Sequence, residues 1–414
     1  MARYRIINTV TASFFDVFAT NIQSSSATQV VVLNTDGTFT IIAGTGLALS
    51  GGVATAGTIT SITRSTAAVG GTTLEIGDQL NANNNSFVSF WNAANNAARF
   101  AYSSSQNDQG FGSSGVDLID LGIGDNDFTG YAGNDSFAGN IGFDFLSYAA
   151  EMSAAVAGTQ GVIVNMSSAS VTATVTGGTF TVASNTAKDS YGFTDSFSSM
   201  DGASGTSFND ALYGNSGNNV FRGYAGTDFI DGGLGFDELS AMSANASGIF
   251  LPTAGMTVTY TAGTSFDGAV SVDGFGGSDT FLSIERIRGT QFADTLNGND
   301  ADNSFRGLGG ADILNGGVGF DQTNHGQDSN YGGTAGVIVN LSGASVTETI
   351  AAGTFTVASN TARDGFGATD TLNSIENVVG TSVNDVIVGG AWDNDLNGGG
   401  GNDTITGGDG FDFL

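Results

Sequence analysis

The stretch Gly205–Ser240 reads GTSFNDALY, GNSGNNVFR, GYAGTDFID, GGLGFDELS. Cut into nines, every line opens with glycine. Asp210, Asn219, Asp228 and Asp237 stand sixth, and Leu212, Phe221, Ile230 and Leu239 stand eighth. Three further stretches keep the phase. Residues 112–147 read GSSGVDLID, LGIGDNDFT, GYAGNDSFA, GNIGFDFLS; residues 289–324 read GTQFADTLN, GNDADNSFR, GLGGADILN, GGVGFDQTN; residues 380–414 read GTSVNDVIV, GGAWDNDLN, GGGGNDTIT, GGDGFDFL. The sixth position runs Asp, Asn, Asp, Asp in every block: Asp117, Asn126, Asp135, Asp144; Asp294, Asn303, Asp312, Asp321; and Asp385, Asn394, Asp403, Asp412 complete the set. Position within a block therefore carries a role.

The segments between blocks are also copies. Gly161–Ser196 aligns with Gly336–Thr371 without a gap, and DGFGGSDTFLSIERIRGT (273–290) resembles DGFGATDTLNSIENVVGT (364–381). Val162, Val164 and Met166 alternate with polar or small residues, the period of a half-buried strand. A recurring unit is the mark of a solenoid or array. Ahead of the blocks, Val30–Leu33, Phe39–Ile42 and Thr58–Ile62 are β-favouring runs between turn formers. Ser86–Tyr102 is richer in Ala and Asn and is expected to include a helix.

The G-G-x-G-x-D-x-U-x pattern resembles the hemolysin-type repeats of the RTX (repeats-in-toxin) family, over roughly residues 112–414. Gly44–Ile62 faintly resembles the β module that often precedes such repeats. The resemblance implies an all-β chain of parallel β-roll, or β-helix solenoid, blocks with β-rich spacers and a β-rich N-terminal module. The expected boundaries are 1–111 for that module, blocks at 112–147, 205–240, 289–324 and 380–414, and spacers at 148–204, 241–288 and 325–379. Glycine supplies the tight curl at low steric cost, and x-U-x is a strand with one side chain inward. Two repeats make one coil, so equivalent turns come from repeats two apart and stack at ~4.8 Å.

The family also implies calcium between such turns, held by position-six side chains and carbonyls of the first four positions. Carried over, Asp117 pairs with Asp135, Asn126 with Asp144, Asp210 with Asp228, Asn219 with Asp237, Asp294 with Asp312, Asn303 with Asp321, Asp385 with Asp403, and Asn394 with Asp412. The glycines Gly133, Gly142, Gly226, Gly235, Gly310, Gly319, Gly401 and Gly410 join these sets. Asn lacks charge, so its sites are expected to be weaker unless Asp125, Asp127, Asp302, Asp393 or Asp395 compensates. Block openings such as GTSFND lack the second and fourth glycines and fit the turn less well. Between blocks, Asp189, Asp195, Asp273, Asp279, Asp364, Asp370, Glu285 and Glu376 are expected to close turns or cap, in preference to binding calcium. The Phe of each G-F-D (Phe143, Phe236, Phe320, Phe411) is expected to plug against the following segment.

Composition agrees with a cation-loaded protein. Forty acidic against ten basic residues give a formal charge of −30, which disfavours nucleic acid or an anionic membrane as a partner. There is no cysteine, so neither disulfides nor thiolate metal sites exist. No window reaches the ~18 apolar residues of a membrane span, and the opening residues hold no signal-peptide apolar run. The only histidine, His325, follows a block without an H-E-x-x-H or G-x-S-x-G context and reads as a surface residue. Neither an enzyme nor a Walker loop is expected.

The resulting expectation is a secreted, extracellular or cell-surface calcium-binding protein, exported by type I secretion and folding on calcium outside the cell. Its role would be structural or adhesive, as a surface-layer (S-layer) component or adhesin with self-assembly or a cell-surface polysaccharide as partner. The alternative is the repeat region of a larger RTX enzyme or toxin. The final repeat stops one residue short at Leu414, which suggests that further sequence follows.

Overall fold

The computed structural model describes residues 22–26, 29–33, 38–50, 53–66, 74–75, 90–92, 98–105, 109–112, 115–149, 151, 158–241 and 251–414. These form strands, turns and short 3-10 segments, with no α-helix among them. Two compact units result, residues 1–146 with 193–200, and residues 147–192 with 201–414.

In the first unit, Ile22–Ser26, Gln29–Leu33, Thr38–Ser50, Val53–Thr66 and Leu74–Glu75 form an antiparallel meander in chain order. Of Ser86–Tyr102, where a helix was expected, residues 90–92 and 98–102 are described and are strand; the rest lies outside the described residues. Phe90–Asn92 and the start of Ala98–Ser105 form an antiparallel pair. Ala98–Ser105 then pairs in parallel with Leu118–Ile123, whose β-branched and leucine-rich composition suits a strand. Leu118–Ile123 pairs with Ser136–Ala138, which pairs with Thr194–Ser198. A second parallel ladder joins Gln109–Phe111, Asp127–Thr129 and Phe145–Ser147. Phe128 of one ladder meets Phe137 of the other edge-on at 5.8 Å.

In the second unit one sheet is wholly parallel. It runs Gly202–Ser204, Val220–Arg222, Glu238–Ser240, Arg286–Arg288, Ser304–Arg306, Gln322–Asn324, Asn377–Val379, Leu396–Asn397. The facing sheet steps in parallel from Ile163–Asn165 through Ala211–Tyr213 and Phe229–Asp231 to Asp279–Leu282. There the spacer inserts a hairpin. Gly268–Val272 runs antiparallel to Asp279–Leu282 and to Thr257–Tyr260, and the latter resumes parallel pairing with Thr295–Asn297. The third spacer repeats the device: Thr361–Arg363 is antiparallel between Thr369–Asn373 and Ile338–Asn340, which pairs in parallel with Val386–Val388. The spacers thus carry the sheet onward.

Position eight fills the space between the sheets. Leu212, Phe221, Ile230, Phe281, Ile287, Leu296, Phe305 and Leu314 are buried. Tyr260 from one sheet approaches Phe305 from the other, with ring centroids 6.5 Å apart. Phe281 and Ile287 belong to a spacer, where D-T-F and E-R-I place an acid and an apolar residue two apart, as in the blocks. Two outlying hairpins, Val171–Val175 with Gly178–Val182 and Val346–Ile350 with Gly353–Val357, dock through Val175 and Val182 and through Ile350 and Val357.

The G-F-D rings stay largely at the surface, though Phe236 does meet the following segment, with the Arg286 guanidinium 4.6 Å from its ring centroid. Phe143, Phe236, Phe320 and Phe411 are 37–69% exposed. The backbone amide of each is what is fixed, donating to Asp125, Asn218, Asp302 and Asp393 respectively at 2.8–2.9 Å. Phe305→Ala should therefore cost about 3–5 kcal/mol, whereas Phe411→Ala should stay within about 0.5 kcal/mol of the parent. Chemical denaturation in saturating calcium compares the two.

Candidate calcium-binding turns

Each coil is tied to the previous one through its sixth residue. One Asp228 oxygen, Oδ1, accepts the amide of Asp210 at 2.9 Å, and Oδ1 of Asp237 accepts that of Asn219 at 2.6 Å. Asp312 binds the amide of Asp294, Asp321 that of Asn303, Asp403 that of Asp385, and Asp412 that of Asn394. In the first unit Asp135 and Asp144 do the same for Asp117 and Asn126. The column continues into the spacers, a continuation that block-by-block reading missed. Asp279 accepts the amide of Asp228, Glu285 that of Asp237, Asp370 that of Asp312, Glu376 that of Asp321, and Asp195 that of Asp135. The signal was present as an acid two residues before a buried apolar side chain.

The sixth residues fall into two classes. In the first, the side-chain oxygens accept amides of the protein. Asp210 Oδ2 accepts the Thr206 amide at 2.6 Å while its Oδ1 accepts that of Val162 at 2.6 Å. Asp294 and Asp385 are held alike, by Thr290 with Met256 and by Thr381 with Val337. Asn219, Asn303 and Asn394 accept the amides of Asn215, Asn299 and Gly390. The Asn219 and Asn394 amides also donate to the Asp201 and Glu376 carbonyls. These six residues close turns, because G-T openings and Asn side chains supply local hydrogen-bond partners. Asp125, Asp302 and Asp393 likewise cap position-five amides one coil on.

In the second class one oxygen is left over. Oδ2 of Asp228, Asp237, Asp312 and Asp321 is buried with no hydrogen-bond partner. All four belong to third or fourth repeats. Glycine clears space there. A Cβ at Gly232 would lie 2.6 Å from Asp237 Oδ2 and 2.0 Å from the Ser283 carbonyl, and one at Gly316 would lie 2.4 Å from Asp321 Oδ2 and 2.0 Å from the Ser374 carbonyl. Gly133, Gly142, Gly226, Gly235, Gly310, Gly319, Gly401 and Gly410 all take positive φ, between 112° and 149°. Backbone carbonyls and bare carboxylate oxygens thus meet where neighbouring turns stack. This is a hard-oxygen set of the kind calcium takes. Among the described residues no three His, Cys, Asp or Glu side chains gather round one point, so carbonyls must make up most of any such set. Asp403 and Asp412 are less buried, and Asp117, Asp135 and Asp144 lie in the first unit with the same amide-to-carboxylate geometry.

Electrostatics oppose this arrangement in the absence of a cation. Burial first, then the charges of Asp210 and Asp279, pushes Asp228 up to about 10. Burial and then Asp370 and Asp294 push Asp312 up to about 9. Burial, followed by the neighbouring Glu285 or Glu376 against the amide bond, takes Asp237 and Asp321 to about 7.

His325 is buried, not a surface residue. Its Nδ1 lies 3.3 Å from Asp328 Oδ2 and its Nε2 3.2 Å from Thr323 Oγ1, where the Asp328–Tyr331 turn closes over it. Burial lowers its pKa, but the bond and charge of Asp328, with Asp370 and Asp364, outweigh this and push it to about 9. In the same region Glu238 receives Arg288 at 2.5 Å and Arg306 at 2.9 Å.

The sequence profile of the RTX calcium-binding nonapeptide repeat matches residues 111–146, 204–239, 288–322 and 379–414. No curated protein matches the chain.

A carboxylate whose folded pKa is raised stabilises the fold fully below its unfolded value, near 3.8, and loses that contribution as pH rises through the folded value. For Asp237 and Asp321 that window runs from about 4 to about 7. In chelator the Tm should therefore fall as pH rises across it. Saturating calcium should flatten the profile, as followed by circular dichroism melts.

Proposed function

Because the chain belongs to the RTX calcium-binding repeat proteins, we propose that it is a secreted structural or adhesive surface protein whose coils lock on extracellular calcium. The observation that carries the calcium part is the set of buried, partnerless Oδ2 atoms of Asp228, Asp237, Asp312 and Asp321 beside glycine-bared carbonyls. Those four aspartates, with carbonyls of stacked turns such as Ser283 beside Asp237 and Ser374 beside Asp321, are the residues that would hold the ion. Calcium would supply two positive charges and a demand for six to eight oxygens.

The chain's own residues then act as a switch. With little calcium, the carboxylate columns repel themselves and the unfolded chain, ionised and hydrated, is favoured. This is a form suited to export. Outside, each site at ten times its Kd adds roughly 1.4 kcal/mol. A few such sites compare with the ~5–15 kcal/mol net stability of an ordinary domain.

A non-catalytic role is supported by the fate of the only histidine, engaged by Asp328 and Thr323, and by side-chain chemistry devoted to coil-to-coil bonds. Among the described residues no helix is long and apolar enough to cross a membrane.

Circular dichroism through a calcium titration from chelator should show β structure appearing cooperatively, and Asp228→Asn should shift the midpoint to higher calcium. A full β spectrum in chelator, unchanged by calcium, would overturn the switch. Light scattering and electron microscopy in calcium test the surface role. Ordered assembly or retention on cell-surface polysaccharide is expected, and a chain that stays monomeric and unbound removes that part of the reading.

A further inference from the structure

The third block departs from the repeat at the end of its last coil. Position eight is Ile, Leu or Phe everywhere else in the four blocks, but here it is Thr323. That side chain is fully buried. A buried hydroxyl needs a partner, and His325 Nε2 supplies one at 3.2 Å. His325 stands directly after the block, where the first two blocks are followed by Tyr148 and Ala241. Its Nδ1 faces Asp328 Oδ2 at 3.3 Å, and Asp328 is buried too. Hydroxyl, imidazole and carboxylate stand in the order of a catalytic triad. At 0% and 3% exposure, however, Thr323 and His325 are closed to a substrate, so the arrangement acts on the fold.

The turn that carries Asp328 is pinned to the third spacer. The Thr334 and Ala335 amides donate to the Gly365 carbonyl at 3.0 and 3.1 Å, and the Gly333 amide donates to that of Asp328 at 2.9 Å. A Cβ at Gly365 would lie 2.9 Å from Asp328 Oδ2, so glycine lets the carboxylate rest on the spacer's turn. That turn brings two more buried acids, Asp364 and Asp370. Asp364 Oδ1 accepts the amides of Phe366, Gly367 and Ala368, while its Oδ2 is buried with no hydrogen-bond partner. Asp370 Oδ1 accepts the Asp312 amide. The strand Asn377–Val379 meets His325 through the Val379 carbonyl, which accepts its amide at 2.8 Å. In the same segment Gln327 bonds to Arg288 and Arg306, and Tyr331 to Arg288, but those guanidiniums are paired with Glu238. The charged groups that act on the imidazole are thus three carboxylates, Asp328 from its own turn and Asp364 and Asp370 from the spacer.

We propose that Thr323, His325 and Asp328 form a proton-operated latch, in which a buried imidazolium binds the turn after the third block to the Asp364–Asp370 turn of the third spacer. The second spacer has the same pair of acids, Asp273 and Asp279, but Ala241 in the place of His325. The third junction therefore carries within the chain a counter-charge that the second lacks. Histidine is the side chain whose charge changes nearest to neutral pH. Burial alone would lower the His325 pKa, but the Asp328 hydrogen bond and charge, with Asp370 and Asp364, raise it to about 9. Burial raises Asp364 and Asp370, and the His325 charge draws both down again. The latch's contribution to stability is complete below the unfolded value of 6.5 and is lost as pH rises through about 9. Without the proton, three buried carboxylates face a neutral ring and the turn releases. The latch stands apart from the calcium reading, since neither His325 nor Asp328 belongs to a block.

The chain has one histidine, so a single imidazole titrates in NMR spectra of the full chain labelled at histidine. In saturating calcium the ring should still be protonated at about pH 7.5, a unit above the ordinary histidine value. A ring already neutral there overturns the proposal. Hydrogen exchange supplies the second reading. After correction for the intrinsic rate, protection of the Gly333, Thr334 and Ala335 amides should fall by up to about tenfold per pH unit between 6.5 and about 9 in the parent. In His325→Gln, which keeps a hydrogen-bonding side chain but does not titrate in this range, that slope should vanish. A slope that persists in the variant, or a parent without one, overturns the latch while the calcium sites stand. Should the variant fail to fold, the imidazole titration and the parent's slope decide.

Discussion

The molecule depends on one hydrogen bond repeated at every coil: a sixth-position carboxylate accepting the backbone amide of the sixth residue one coil earlier. The bond requires an ionisable side chain inside a stack of turns. Coils repeat at the strand spacing of ~4.8 Å, so the acid of each coil lies close to those of its neighbours. Burial disfavours each charge, and like neighbours disfavour it further. Amide donors offset part of this, but only on one oxygen of Asp228, Asp237, Asp312 and Asp321. Geometry and charge therefore conflict inside the fold, and the glycines keep the conflict open by leaving no Cβ to fill the space.

The spacers obey the same constraint. Asp279 and Glu285 follow Asp228 and Asp237 in the columns, and Asp370 and Glu376 follow Asp312 and Asp321. A spacer is then a coil with strands inserted, and the insertion can vary in length because the column and the buried eighth-type residue resume after it. Tyr224 shows how such a junction is held. It takes φ 67° at a second position where Gly233, Gly317, Gly399 and Gly408 take 81–111°. Left-handed backbone costs a non-glycine residue roughly 1–2 kcal/mol, and the contact of Tyr224 with Phe275 across the junction opposes that cost.

The coil period, the all-β class and the buried row were legible because each rests on a single repeated spacing. Which acids have an oxygen to spare was not, because that depends on second-position chemistry. Thr206, Thr290 and Thr381 fill the oxygens of Asp210, Asp294 and Asp385 through G-T openings that looked only like poor glycine turns. Beside any ligand role, the Asn219 amide nitrogen finds the Asp201 carbonyl, a contact an ionised carboxylate cannot make. His325 looked exposed because its neighbours are polar, yet Asp328 three residues on folds back to it. In each case the deciding partner was a short-range polar contact with no period of its own.

The basic residues explain why the acids look outward for compensation. The chain has ten Lys and Arg against forty Asp and Glu. Three of the ten, Arg286, Arg288 and Arg306, converge on the single carboxylate of Glu238. Lys188 and Arg363 turn to the Gly192 and Gly367 carbonyls and lie over Phe180 and Phe355. These cations are committed to outer sheet faces and spacer turns. Had they been spread along the carboxylate columns, internal ion pairs could have neutralised the stack and made folding independent of the medium. Apart from His325, whose charge acts on Asp370, these bases leave the columns to be balanced by protons or by dissolved cations. Near neutral pH, where protons are scarce, the reading proposed above has divalent cations take that place.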